Sequence, residues 1–199
     1  MHVHGIESWR SRPFLVVELL PGGTLADRLR RGPVPASRAV DIASRLADAL
    51  AVLHGVGYMH GDIKPSNVGF TSEGSPKLLD FGLARETGDL ATRGGTVRYL
   101  SPEVLSGRPA DEADDVWSLC VMLHEIATGE HPFADHGVEE LADRIRRQRL
   151  GRAGGAAAGP DASSALLAFT ASVLTAPRSA RPTTARAFAD ALHGVRRRQ

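Results

Sequence analysis

Apolar positions along this chain keep two periods, and continuous apolar runs mark a third kind of segment. Phe14-Leu15-Val16-Val17-Glu18-Leu19-Leu20 is aliphatic and β-branched, and Pro21-Gly22-Gly23 breaks it, which predicts a buried strand. Thr24 is placed to N-cap a short helix through Arg31, stopped by Gly32-Pro33. From Ala36 to about His54, the residues Ala39, Ile42, Ala43, Leu46, Ala49, Leu50 and Leu53 recur at helical spacing and predict a long helix with one buried stripe. Gly55 and Gly57 end that helix. Val68-Gly69-Phe70 and Lys77-Leu78-Leu79 read as two short strands around a Glu73-Gly74 turn. Residues 83 to 103 are polar and irregular, the pattern of a mobile loop. Ala113 to Thr128 is a second, strongly apolar helix closed by Gly129, and further helices are predicted near 137–149, 162–175 and 183–195. A Gly/Ala-rich stretch, Gly151 to Gly159, lies between the first two of these, and the chain carries no internal repeat.

Composition narrows this picture. A length of 199 residues suits one domain or the larger lobe of a two-lobed one, and 42% hydrophobic content is enough for a packed core. A net charge of +1 gives no electrostatic ground for expecting nucleic-acid or bulk membrane binding, and Arg196-Arg197-Arg198 reads as a solvated tail. Cys120 is the single cysteine, so no intrachain disulfide forms, which suits a reducing compartment. It lies in the apolar run Val116–Leu123, where a buried thiol is expected rather than a nucleophile. Neither apolar run is long enough to span a bilayer, and Met1-His2-Val3-His4-Gly5 lacks the pattern of a signal peptide. A cytoplasmic location is expected.

The chemistry is concentrated in His60-Gly61-Asp62-Ile63-Lys64-Pro65-Ser66-Asn67, followed by Asp80-Phe81-Gly82. An aspartate in the position of Asp62 accepts a hydrogen bond from an attacking hydroxyl and aligns it with a phosphoryl group. Lys64, two residues on, reaches the same group and offsets its developing charge. Asn67 and Asp80 supply hard oxygen atoms of the kind that hold magnesium against phosphates. The hydroxyl of Thr96 is a candidate bridge between Asp62 and Lys64. An Asp-Phe-Gly or a His-Gly-Asp standing alone is usually an ordinary turn or loop; order and spacing together carry the reading.

From Phe14 to about Leu192 these motifs resemble the large lobe of a eukaryotic-type (Hanks-type) bacterial protein serine/threonine kinase. The loop at 60–67 is similar to the family's H-R-D-x-K-x-x-N with glycine at 61, and Asp80-Phe81-Gly82 is similar to its metal-binding turn. Gly95-Thr96-Val97-Arg98-Tyr99-Leu100-Ser101-Pro102-Glu103 resembles the substrate-docking segment, with serine at 101 where alanine is usual. Asp115-Val116-Trp117-Ser118-Leu119 resembles the buried helix whose aspartate braces the catalytic loop, and Arg181-Pro182-Thr183 the late motif whose arginine pairs with the glutamate matched by Glu103. The resemblance implies an α+β, protein-kinase-like fold: residues 1–20 a remnant of the small lobe and hinge strand, 21–195 a mainly helical large lobe with a catalytic β-hairpin, and 196–199 a basic tail. It implies ATP and Mg2+ as cofactors and a protein as substrate, with Asp62, Lys64 and Thr96 catalytic and Asn67 and Asp80 holding metal. Glu18 and Leu20 fall in the hinge that binds adenine through backbone groups, with Val17 as gatekeeper. Lys64 favours serine/threonine over tyrosine.

Three departures from the family pattern shape the expectation. Gly61 removes a cation that binds a phosphorylated activation loop. Gly69 stands where a large aliphatic residue forms the floor under adenine, which predicts a roomier, weaker nucleotide site. The resemblance begins near the loop before the fourth small-lobe strand, so an N-terminally truncated kinase is expected, its glycine-rich loop and strand lysine to be sought upstream of Met1. Two other functional classes remain open: a kinase-like binding module without catalysis, and a small-molecule phosphotransferase of the aminoglycoside or choline kinase type. The latter family carries H-G-D-x-x-x-x-N, but it lacks the segments matched by Gly95–Glu103, Asp115–Leu119 and Arg181.

Gly61 leads to a prediction. Replacing Thr87 and Thr92 together by alanine is expected to leave phosphoryl transfer intact; complete loss of transfer to a protein substrate would contradict it.

Overall fold

The structure, a computed structural model, describes residues 1–32, 34–87, 95–133, 138–148, 150 and 164–196. Pro33, Thr92, the Gly151–Gly159 stretch and the tail beyond Arg196 lie outside the described residues. The chain begins with an antiparallel hairpin, β1 (Val3–Trp9) and β2 (Arg12–Val17). Two helices follow, α1 (Leu25–Leu29) and α2 (Ala36–Gly55), then β3 (Tyr58–Met59), the hairpin β4 (Val68–Phe70) and β5 (Pro76–Leu78), and β6 (Arg85–Glu86). From there the named elements are helical: α3 (Pro102–Leu105), α4 (Glu112–Thr128), α5 (Val138–Arg146), α6 (Ser164–Thr175) and α7 (Ala185–Arg196).

The core is built around α4. This helix is apolar nearly all round, and Val116, Trp117, Leu119, Cys120, Val121, Met122 and Leu123 each keep 1% exposure or less, as expected of a central helix packed on every side. Its first turn is fixed by a capping box: the Asp111 side chain accepts from a helical N–H while the Asp114 side chain accepts from the Asp111 N–H. Gly129, at φ 78°, closes it in the left-handed conformation that favours glycine. Helix α2 packs along α4 and α7, α6 packs on α4, and Phe133 stacks on Trp117 at 5.9 Å between ring centres.

The buried stripe of α2 differs in detail from the predicted one. Ala39, Ile42, Ala43, Leu46 and Leu50 are buried as expected, joined by Val40, Ala47 and His54, whereas Ala49 is exposed and Leu53 half-buried. The stripe is wide because α2 meets two helices rather than one.

Two expectations need correction. The run starting at Phe14 is a strand over Arg12–Val17 only, and every residue of it is exposed. Its partner β1, which apolar periodicity did not reveal, pairs along one edge, and nothing among the described residues covers its faces. The turn joining them places Arg10 and Ser11 at φ 49° and 60°, a conformation usually signalled by Asn or Gly, and Pro13 sits inside the strand, so the usual hairpin signals are missing. Residues 83 to 103 are also not uniformly irregular. β6 pairs with β3 in the register Tyr58↔Glu86 and Met59↔Arg85, Val97–Tyr99 form a tight helical turn, and α3 begins at Pro102 with Ser101 as its N-cap.

Several histidines are buried in their neutral form. Burial holds His60 and His124 below the usual imidazole range, and burial together with the neighbouring Arg98 cation pushes His131 down to about 4. The unfolded chain therefore binds more protons than the fold between about pH 4 and 6.5, so stability present above pH 6.5 falls as the pH drops through this window. The expected contribution of His131 alone is about 3 kcal/mol. Melting temperature should decline steeply from pH 7 to pH 5, and His131→Asn should flatten that decline; an unchanged slope would argue against it.

Candidate functional site

The loop between β3 and β4 is held from below by α4. Asp115, 1% exposed, accepts hydrogen bonds from three donors: His54 Nε2 at 2.9 Å, the His60 N–H at 2.7 Å and the Gly61 N–H at 2.9 Å. A buried carboxylate needs this many donors to offset its lost hydration. His60 continues the support on the other side. Its Nε2–H donates to the Leu79 carbonyl at 3.0 Å, its Nδ1 accepts from the Asp62 N–H at 3.3 Å, and its ring lies 5.0 Å from that of Phe81. One imidazole thus ties the 60–67 loop to the turn that begins at Asp80.

Above this foundation, four of the sequence-predicted residues form one hydrogen-bonded network. Asp62 Oδ1 accepts from the Thr96 N–H at 3.1 Å and from Thr96 Oγ1 at 3.0 Å. Asp62 Oδ2 lies 2.6 Å from Lys64 Nζ and accepts from Asn67 Nδ2 at 2.9 Å. Lys64 Nζ also donates to Thr96 Oγ1 at 2.9 Å. Burial works to raise the Asp62 carboxyl, but the hydrogen bonds from Lys64 and Thr96 outweigh it and hold the group below the usual carboxylate range. Asp62 is therefore an anion throughout the neutral range.

Asn67 is buried in the tight turn Pro65–Asn67, where the proline fixes φ at the first position. Its amide nitrogen is engaged twice, by the Asp62 carbonyl and by Asp62 Oδ2, both at 2.9 Å. That leaves the amide oxygen, among the described residues, with Ser66 Oγ at 3.5 Å. Asp80 is exposed, at φ 57°, a conformation aspartate tolerates better than most residues, with Oδ1 accepting the Gly82 N–H at 3.2 Å. It shares no direct hydrogen bond with the network; the connection runs through the backbone, where the Leu79 N–H donates to the Asn67 carbonyl at 2.9 Å. Among the described residues no group of three or more His, Cys, Asp and Glu is placed to hold a metal ion by itself. One carboxylate and one amide oxygen nevertheless fit magnesium, which takes few protein ligands and completes its shell from water and phosphate.

Glu18 and Leu20 lie just after β2. The Glu18 N–H donates to the His2 carbonyl at 2.9 Å, and its carboxylate accepts from Lys77 Nζ of β5 at 2.6 Å, which is the main cause holding it below the usual glutamate range. The expectation of a roomier site at Gly69 is not met. A Cβ built on Gly69 would lie 2.6 Å from Leu20 Cδ1 and 3.0 Å from Leu79 Cδ1, so that volume is already filled.

Sequence reasoning missed three contributors. His54 falls one turn after Leu50 on the buried side of α2, and that position was the available signal for its bond to Asp115. Lys77 carried no signal, because its partner lies 59 residues away. Arg85 brings a guanidinium against Gly61: its Nη1 lies 3.3 Å from where a Gly61 side chain would start, and its Nε and Nη1 are buried with no hydrogen-bond partner among the described residues. The predicted pair of Glu103 and Arg181 is present at 3.0 Å, with the guanidinium 4.4 Å above the Trp117 ring.

Given this arrangement, the chain belongs to the protein kinase domain family, which it matches over residues 2–192. Among individual relatives it is 39% identical over 136 residues to the serine/threonine-protein kinase PknL of Mycobacterium tuberculosis, covering 65% of this chain and 34% of that protein. It is 37% identical over 158 residues to the CBL-interacting protein kinase 4 of Oryza sativa, covering 74% of this chain and 35% of that protein. It is also 39% identical over 146 residues to the serine/threonine-protein kinase PknB of Mycobacterium leprae, covering 69% and 24%. The chain thus spans about a quarter to a third of the length of the curated relatives it matches.

Asp115 gives this site its sharpest stability test. Asp115→Ala leaves the His60 and Gly61 N–H groups without an acceptor and should lower unfolding free energy by about 3–5 kcal/mol in urea titration. Asp115→Asn, which keeps one acceptor oxygen, should cost less. Hydrogen exchange at the amides of residues 60 and 61 should accelerate in both variants; unchanged protection would refute the bracing role.

Proposed function

We propose that this protein transfers the γ-phosphoryl group of ATP to serine or threonine hydroxyls of a protein substrate. The observation that carries the reading is the four-residue network of Asp62, Lys64, Asn67 and Thr96, in which the carboxylate stays ionised beside a cation. Asp62 accepts the hydrogen bond of the attacking hydroxyl and orients its oxygen toward the phosphorus. Lys64 lies on the same side and offsets the charge that accumulates on the transferring phosphoryl oxygens. Thr96, bonded to both, sets the distance between acid and cation. Asn67, through its amide oxygen, and Asp80 hold Mg2+, which when bound neutralises phosphate charge. The backbone of Glu18 and Leu20 receives adenine.

Three points support a protein substrate over a small molecule. Thr96 belongs to the segment Gly95–Glu103, which is bonded directly onto Asp62 and so frames the acceptor side of the site. Glu103 anchors the end of that segment to Arg181. The relatives named above are themselves protein kinases, two of them serine/threonine kinases by name. Among the described residues no helix is long and apolar enough to cross a membrane. A cytoplasmic setting is supported by Cys120, a buried free thiol suited to a reducing compartment.

The test uses the intact protein with magnesium and ATP. At a 100-fold excess over Kd, ATP with magnesium should raise the melting temperature by about 5–10 °C, and Asp80→Ala should remove most of that shift. Radiolabel transfer to a casein-like substrate should fall by about 10²–10⁴-fold in Asp62→Asn. Absence of both the thermal shift and the transfer would replace this reading with that of a kinase-like binding module.

A further inference from the structure

The segment that follows β2 is strapped onto the β4–β5 hairpin at several points. The Gly22 N–H donates to the Phe70 carbonyl at 2.9 Å and the Phe70 N–H to the Gly23 carbonyl at 3.0 Å, while Thr24 forms a bridge with Gly69. Gly22 comes so close to β4 that a Cβ there would lie 2.7 Å from Phe70 Cβ. Lys77 draws in the other end of the segment through Glu18. Leu20, between these anchors and half-buried, is carried over β4 with its Cδ1 atom 2.6 Å from the point where a side chain at position 69 would begin. Carbon atoms do not approach to that distance, so only one of the two positions can hold a side chain in this volume. Leu79 closes the same space from the residue between β5 and Asp80, its Cδ1 3.0 Å from that point.

We infer that the side chain of Leu20, seated over Gly69, is the apolar floor on which the purine ring of the nucleotide rests. Position 69, where a large aliphatic residue would serve that role, is glycine because Leu20 takes the volume. This rests on the nucleotide reading given above. Leu20 then contributes twice, through a backbone N–H at the edge of the ring and through its side chain on the face. The site is not enlarged by Gly69; its floor is supplied from a different element, and Gly69 and Leu20 form a coupled pair. A residue larger than glycine at 69 displaces Leu20 and, with it, the backbone group on the ring edge.

A double-mutant cycle on the intact protein tests this, with ATP and magnesium as the probe and calorimetric Kd as the readout. Leu20→Ala, which removes the floor, and Gly69→Leu, which evicts it, should each weaken ATP about tenfold. The combination Leu20→Ala with Gly69→Leu should return to within about threefold of the parent, because the floor is rebuilt from the other side. Leu20→Met, which keeps the volume, should stay within about threefold of the parent, and in transfer assays KM for ATP should move far more than kcat. Additive losses in the double variant, with a parent that binds ATP, overturn the floor assignment and leave the nucleotide reading standing. A parent that binds no ATP overturns both. If Gly69→Leu fails to fold, as judged by circular dichroism melting, the cycle is run with Gly69→Ala, for which the same non-additivity is expected and additivity is again decisive.

Discussion

The carboxylate of Asp115 is the point on which the candidate site depends. It is removed from water inside the most buried helix of the molecule, a position that would be costly without compensation. The compensation comes from outside the helix, from the backbone N–H groups of His60 and Gly61 and from the ring of His54. Each partner is thereby fixed relative to α4. The loop cannot shift without leaving a buried charge short of donors, so its geometry inherits the rigidity of the core. His60 extends that rigidity to the Leu79 carbonyl, and so to the turn carrying Asp80. The candidate active site is in this sense an outgrowth of helix packing.

The network around Asp62 follows from the same foundation. Asp62, Lys64, Asn67 and Thr96 are all at least partly withdrawn from solvent, where their mutual hydrogen bonds are stronger than they would be at the surface. Asn67 gives its nitrogen to Asp62 and leaves its oxygen with a long contact to Ser66 Oγ, so the polarity of the amide is set by the acid it supports. Arg85 is the unusual member of this neighbourhood. A guanidinium with two buried nitrogens lies against a loop glycine, in space that a side chain at position 61 would claim. Gly61, at φ 79°, adopts a conformation that suits glycine far better than arginine.

Within one chain, then, burial is unevenly distributed. The helices α2, α4, α6 and α7 share one continuous core, with Leu46, Leu50, Trp117, Leu119, Phe188 and Leu192 all fully enclosed. The β1–β2 hairpin, by contrast, presents Ile6, Trp9 and Leu15 to solvent, at 72%, 68% and 58% exposure, and Leu19 just beyond it at 86%. What ties it to the rest is polar: Glu18 with Lys77 beyond its end. The glycine contacts between residues 22–24 and β4 complete the link and place Leu20 where it lies.

The sequence by itself determined the helices, the catalytic-type loop and the family, because each is written in local spacing. Apolar periodicity marks α2 and α4, Thr24 and Gly129 mark ends, and Asp62, Lys64, Asn67 and Asp80 keep fixed separations that no tertiary contact has to supply. Only the tertiary structure decided which of those residues touch, and it did so across long separations: Thr96 to Asp62, His54 to Asp115, Lys77 to Glu18. It also reversed two local readings. The run from Phe14 reads as buried because its side chains are apolar, yet burial requires a neighbour, and composition cannot supply one. Gly69 reads as an empty place because a glycine has no side chain, yet close packing let Leu20, nearly fifty residues earlier, take that volume.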